Sequence, residues 1–213
     1  MPATAAMPNP GGGRALVSPQ RDAEPRGIVS RGPTAELGEL APEFELADLS
    51  GRAHSLARYR GKIVVLEWFD PQCPFVAYAY DEGPLAEIKT RQVASGTVWL
   101  TIQSTPLERA TLAGDLCREF AQSRHLRGPI LLDRRGELAR RYGARTTPHL
   151  FVINERGVLV YSGALDNAPM GRVERASTKT NFVEAALADL RSGHAVTTSS
   201  TRPYGSPLPY TRP

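Results

Sequence analysis

The stretch KIVVLEWFDPQCPFVAYAY, residues 62–80, decides how this chain is read. Its first eight residues, KIVVLEWF (62–69), form a continuous run of strand formers, the pattern of a central strand buried on both faces. Residues 74–80 then fit a helix opening on Pro74, which is tolerated in a first turn because the N–H it lacks would be unpaired there. Cys73 falls at the junction. A helix start presents unpaired N–H groups and a partial positive charge, and both favour a thiolate over a thiol. Cys73 is therefore either a nucleophile or a small buried hydrophobe, the commoner lot of cysteine. Val76 stands three residues on, where a redox-active pair would place its second cysteine.

Working outward, GTVWLTIQS (96–104) and GPILLD (128–133) read as further buried strands. Helical segments separate them: LAEIKTRQVA (85–94), and one within 105–126 carrying Leu112, Leu116 and Phe120 at helical spacing. RGELARRYG (135–143) is a short helix stopped by Gly143. HLFVIN (149–154) and VLVYSGA (158–164) make a hairpin about Glu155-Arg156-Gly157, and 181–193 closes the fold with Phe182, Ala186, Leu187 and Leu190 on one helix face. Ahead of the central strand, Phe44, Leu46 and Leu49 before a turn at Ser50-Gly51 suit a strand–turn element. Strands alternating with helices, then a hairpin and a last helix, predict an α/β layout with a parallel core and antiparallel edges.

The chain has 213 residues, 41% of them hydrophobic, which suits one domain with tails. Residues 1–36 are rich in Ala, Pro, Gly and Arg without periodicity and read as a disordered leader. The domain is expected over 37–192, and 193–213, a proline-rich stretch without helical period, as an extended tail. Net charge is +4, with much of the excess in the two ends. No basic stripe is interleaved with aromatics, so nucleic acid is not an expected partner. No apolar run approaches the ~20 residues of a membrane span. The start lacks the apolar stretch of a secretory signal, so a cytoplasmic location is expected, with the periplasm open to a chain whose start is truncated. Two cysteines, Cys73 and Cys117, without Cys-x-x-Cys spacing make neither a disulfide framework nor a zinc site. With no metal constellation and no phosphate-cradling loop, no cofactor is expected.

Four further features bear on chemistry. Thr147-Pro148 heads an apolar strand and is either a cis peptide that turns the chain sharply or an ordinary trans proline at an edge. Glu67, a charge inside the buried run and six residues before Cys73, is either a proton acceptor or a solvated residue on an open face. His149 follows Pro148 and lies near the sulfur or is structural. Cys117 is a buried structural thiol or a substitute partner for Cys73, which requires Cα atoms within about 7 Å.

The order strand, Cys-Pro at a helix start, then Thr-Pro at the head of a hairpin resembles the thioredoxin fold. LAPEFELADLSGR, followed by GKIVVLEW, resembles its redoxin branch, the alkyl hydroperoxide reductase/thiol-specific antioxidant superfamily. LLDRRGELARRYGARTTPHLFVINERGVLVYSGALDN is similar to the second half of such domains. The resemblance spans roughly residues 36 to 192. Pro71-Gln72-Cys73-Pro74-Phe75 is similar to a P-x-C-P-F stretch of a bacterial thioredoxin-like subgroup. It implies a central mixed sheet flanked by helices with an N-terminal redoxin-type extension. It also implies a reacting thiol at Cys73, a cis Pro148 beside it, Thr147 offering backbone groups to an extended partner, and a buried acid at Glu67. Four positions depart. Val76 replaces the resolving cysteine of thioredoxins. Asp70 and Leu66 stand where peroxide-reducing members place Thr or Ser and Pro. Ser206, in Pro203-Tyr204-Gly205-Ser206, stands where the subgroup's tail carries a cysteine. The implied activity is thiol–disulfide redox chemistry through Cys73 alone, resolved by an external thiol reductant or, failing that, by Cys117. The alternatives are a one-cysteine peroxidase acting on peroxide as an antioxidant, and a non-catalytic module that binds through the Pro148 groove and the tails.

Overall fold

The computed structural model describes residues 34–104, 110–173 and 177–209. Of the leader expected over 1–36, residues 1–33 lie outside the described residues. A short antiparallel hairpin, β1 (Glu45–Ala47) and β2 (Ala53–Ser55), precedes the central strand β3 (Val64–Trp68). The helices α1 (Pro74–Asp81) and α2 (Leu85–Ala94), strand β4 (Val98–Ser104), α3 (Ala110–Ser123), β5 (Ile130–Asp133) and α4 (Glu137–Tyr142) follow. Then come β6 (Thr146–Thr147), β7 (His149–Ile153), β8 (Leu159–Gly163), α5 (Phe182–Arg191) and β9 (Ser206–Pro207).

The main sheet has the order β5-β4-β3-β7-β8. β3, β4 and β5 run parallel, while β7 is antiparallel to β3 and β8 to β7. The mixed sheet is as expected, but the hairpin does not supply two edges: β7 lies inside the sheet and only β8 is marginal. The cause is in the side chains. β7 is buried at all five positions and needs cover on both faces, whereas β8 alternates buried with half-buried residues.

Alternation along β3 sorts the interior into two layers. Val64, Leu66 and Trp68 join Leu100, Ile102, Phe151 and Ile153 under a cover of Phe44, Leu56, Leu138 and Tyr142. Val65 and Phe69 face the other way, beneath Val76, Ile88, Phe120, Val183 and Leu187 of four helices. Burying each such side chain contributes about 1.5–3 kcal/mol. One helix face departs from the expected stripe: α3 turns Ala113, Cys117 and Phe120 inward and leaves Leu112 61% exposed. The small pair Ala113-Gly114 lets the first turn approach the body, close to Leu49, so the buried stripe starts there and passes through the cysteine.

Beyond α5 the chain doubles back. Ser162 N donates to Ser199 O and Thr201 N donates to Ser162 O, laying the segment along the edge of β8. β9 then pairs antiparallel with β6, Thr147 opposite Ser206 and Thr146 opposite Pro207. Leu208 N donates to Arg145 O at 2.9 Å, and the Leu208 side chain is buried in the layer of Phe44, Leu138 and Tyr142.

Candidate active site

The passage from β3 to α1 is made by Asp70-Pro71-Gln72-Cys73. Asp70 Oδ1 accepts from Gln72 N at 2.9 Å, and Asp70 O accepts from Cys73 N at 3.0 Å. Asp at the first and Pro at the second position of such a turn are the residues it favours. Cys73 is thereby the N-cap of α1, with Pro74 at the first helical position and no side chain capping the turn. The first-turn N–H groups of α1 have no side-chain acceptor, which leaves the positive end of the helix facing the sulfur.

Cys73 is only 2% exposed, and its Sγ donates to Thr147 O at 2.9 Å. The Thr147–Pro148 peptide is cis, so of the two readings of this dipeptide the turned one is observed. Cys73, Pro74, Thr147 and Pro148 are thus one constellation, and the register of β9 against β6 adds Ser206 to it. Sequence reasoning missed the residues that hold Ser206 there. Tyr204 lays its ring 6.0 Å from Phe75 and donates its hydroxyl to Asp166 Oδ1 at 2.6 Å. Gly205 lies so close that a Cβ on it would sit 2.0 Å from Thr147 O, and its φ of +132° is one that other residues rarely adopt. Only the glycine itself, between an aromatic and a polar residue, signalled this approach.

Glu67 is buried rather than solvated and faces the helical layer that holds Cys73. Its carboxylate accepts from Tyr80 Oη at 2.7 and 2.9 Å and from Trp99 Nε1 at 2.7 Å, with Lys89 Nζ 3.6 Å away. Lys89 in turn donates to Thr101 Oγ1 at 2.6 Å. Burial pushes the Lys89 pKa down and the Glu67 charge pulls it back up. Burial, then the same carboxylate, raises the Tyr80 phenol well above its usual range. None of Glu67's hydrogen bonds goes to Cys73, so the geometry ties the acid to α1, α2 and β4 and not to the sulfur.

Neither His149 nor Cys117 is paired with Cys73, whose Sγ bonds Thr147 O. His149 accepts from Arg145 N through Nδ1 at 3.2 Å, contacts Ser162 Oγ through Nε2 at 3.3 Å, and sets its ring, tilted, 4.4 Å from that of Phe151. Burial, with a smaller contribution from Arg145, lowers its pKa to about 3, so it is a neutral structural imidazole. The unfolded chain protonates this group near 6.5 while the folded one does not, so stability is lost as pH falls from about 6.5 towards 3. Urea midpoints at pH 7 and 4.5 should show His149→Gln losing about 2 kcal/mol less than the parent over that interval. Equal losses would contradict the assignment. Cys117 is a free thiol inside the helical layer, and burial, reinforced by Asp70, pushes its pKa up to about 12. A thiol that keeps its proton at neutral pH is a poor resolving nucleophile.

Comparison with known proteins gives these residues a setting. Residues 37–162 match the AhpC/TSA family. The thiol-disulfide oxidoreductase ResA of Geobacillus thermodenitrificans is 28% identical over 128 residues, 57% of this chain, and the chain spans 65% of ResA's length. An uncharacterized conserved protein from Geobacillus kaustophilus shares the fold with a TM-score of 0.72 at 23% identity, over 88% of this chain and 98% of that one. The exposed lipoprotein thioredoxin Etrx1 of Streptococcus pneumoniae follows with a TM-score of 0.50 at 21% identity, over 70% of this chain and 98% of its own. The fold is the thioredoxin fold. A neighbour carried as an exposed lipoprotein corrects the expectation of a cytoplasmic location, which is withdrawn. That expectation rested on a missing apolar run, and location is set by targeting segments outside the folded domain.

Proposed function

Because the chain belongs to the AhpC/TSA family, we propose that it is a thiol–disulfide oxidoreductase whose single reacting group is Cys73. The observation that carries this reading is the pairing of Cys73 Sγ with the Thr147 carbonyl at the uncapped start of α1. The thiolate attacks one sulfur of a disulfide, the S–S bond breaks, and the departing sulfur leaves as a thiolate. Charge on the attacking sulfur is met by the helix N-terminus. Cys73 is then held in a mixed disulfide. Val76 offers no second thiol and Cys117 keeps its proton, so an external thiolate attacks the mixed disulfide. That attack releases Cys73 as a thiolate and forms a disulfide carrying the external thiol, which supplies the electrons. Thr147 and Pro148 position the sulfur and its partner. Glu67 enters as a positioning residue that fixes α1 through Tyr80.

Turnover of a small disulfide should therefore require added monothiol, and Cys117→Ala should retain it. Ser206→Cys should change the requirement: placed opposite Thr147, a cysteine there is expected to close a disulfide with Cys73 on oxidation and to supply the missing resolving thiol. Thiol-independent turnover by the parent chain, or loss of turnover in Cys117→Ala, would sink the single-cysteine mechanism. Sulfenic acid formation at Cys73 with dilute peroxide, without disulfide exchange, would replace it with peroxidase chemistry.

A further inference from the structure

The tail occupies the ground a substrate would need. Thr147 touches both the reacting sulfur and the C-terminal strand. Its carbonyl accepts from Cys73 Sγ at 2.9 Å, and the same oxygen lies 2.0 Å from where a Cβ on Gly205 would fall. The tail sets Tyr204 against Phe75, in the helix that Cys73 caps, and Ser206 against Thr147, whose carbonyl the sulfur meets. The segment is held along its whole length. Thr201 Oγ1 bonds Tyr161 Oη at 2.7 Å and accepts from Ala164 N at 2.9 Å. Leu208 anchors the far end in the layer of Phe44, Leu138 and Tyr142.

We propose that residues 199–208 are a built-in occupant of the substrate groove, a self-peptide that shields Cys73 and is displaced by an extended polypeptide carrying the disulfide to be exchanged. This rests on the reading of Cys73 as the reacting thiol. The seat of the tail also defines what can replace it. A small residue is required where Gly205 lies, since a side chain there runs into the Thr147 carbonyl. An aromatic residue one place earlier fits between Phe75 and Asp166, where a cavity of about 710 Å³ opens beside Phe182 and Tyr204. The residue facing Thr147, where Ser206 lies, marks the place of the substrate sulfur.

The test is the rate at which Cys73 is alkylated by iodoacetamide in a Cys117→Ala background. Gly205→Val and a chain ending at residue 198 should each react about tenfold faster or more than the parent, because a local closure no longer protects the sulfur. A synthetic peptide of residues 199–209 should slow the truncated chain again. Circular dichroism and thermal unfolding verify that both variants are folded. Unchanged rates in folded variants would overturn the proposal. Should both variants fail to fold, the parent chain with both cysteines supplies the test. Cys73 should label through an opening nearly independent of urea, and Cys117 only with the urea dependence of global unfolding. Parallel labelling of the two would overturn the proposal equally. Faster alkylation without disulfide exchange in any variant would leave the shielding standing and remove the proposed activity, so the two failures are distinguishable.

Discussion

Cys73→Ser should abolish disulfide exchange, a loss on the order of 10³-fold or more, with little change in thermal stability. The sulfur is the only thiol at the helix start, and its partner there is a backbone carbonyl that a serine hydroxyl can also engage. Oxygen replaces sulfur in the same small, buried site, so the packing of α1 on β3 should survive. What disappears is a nucleophile able to form and leave a disulfide. Turnover of a small disulfide with excess monothiol measures this. Retention of more than a tenth of the parental rate would mean that another group carries the chemistry.

The largest expected effect on stability lies at Lys89. Lys89→Met should cost about 3 kcal/mol or more, because it leaves the Glu67 carboxylate buried without its counter-charge. The double variant Glu67→Gln/Lys89→Met should recover much of that loss, since a buried pair replaced on both sides leaves no lone charge. Urea unfolding of the single and double variants decides it. A Lys89→Met chain as stable as the parent would show that the pair carries no net weight. The double variant should also keep its dependence on Cys73, since Glu67 has no hydrogen bond to the sulfur.

Much of the arrangement was legible in the sequence, and particular residues show why. The run of strand formers at 62–69 and Pro74 behind Cys73 are local signals, so the strand and the helix start could be placed from neighbours alone. The cis Thr147–Pro148 peptide lies 74 residues from Cys73, and its approach to the sulfur came from resemblance rather than spacing. Three things were not legible. The inward stripe of α3 follows Ala113 and Gly114, whose small volume counts only against a neighbour the sequence does not place. Lys89 sits mid-helix in LAEIKTRQVA like any surface lysine, and only the fold brings it to Glu67. The interior position of β7 depends on which strand pairs with β3, a long-range choice that local alternation leaves open.

The tail marks the boundary most clearly. Its prolines fit an extended arm, but an arm has no address until Thr147, Phe75 and Asp166 have been assembled from three distant segments. Gly205 is then understood through contact rather than through turn chemistry.

The central claim, a single reacting cysteine, is tested most directly by mass spectrometry of the chain after brief mixing with a small asymmetric disulfide and acid quenching. The account predicts one mixed-disulfide adduct, mapped to Cys73, that vanishes when an external monothiol is added. An adduct on Cys117, an internal Cys73–Cys117 disulfide, or no adduct at all would contradict it.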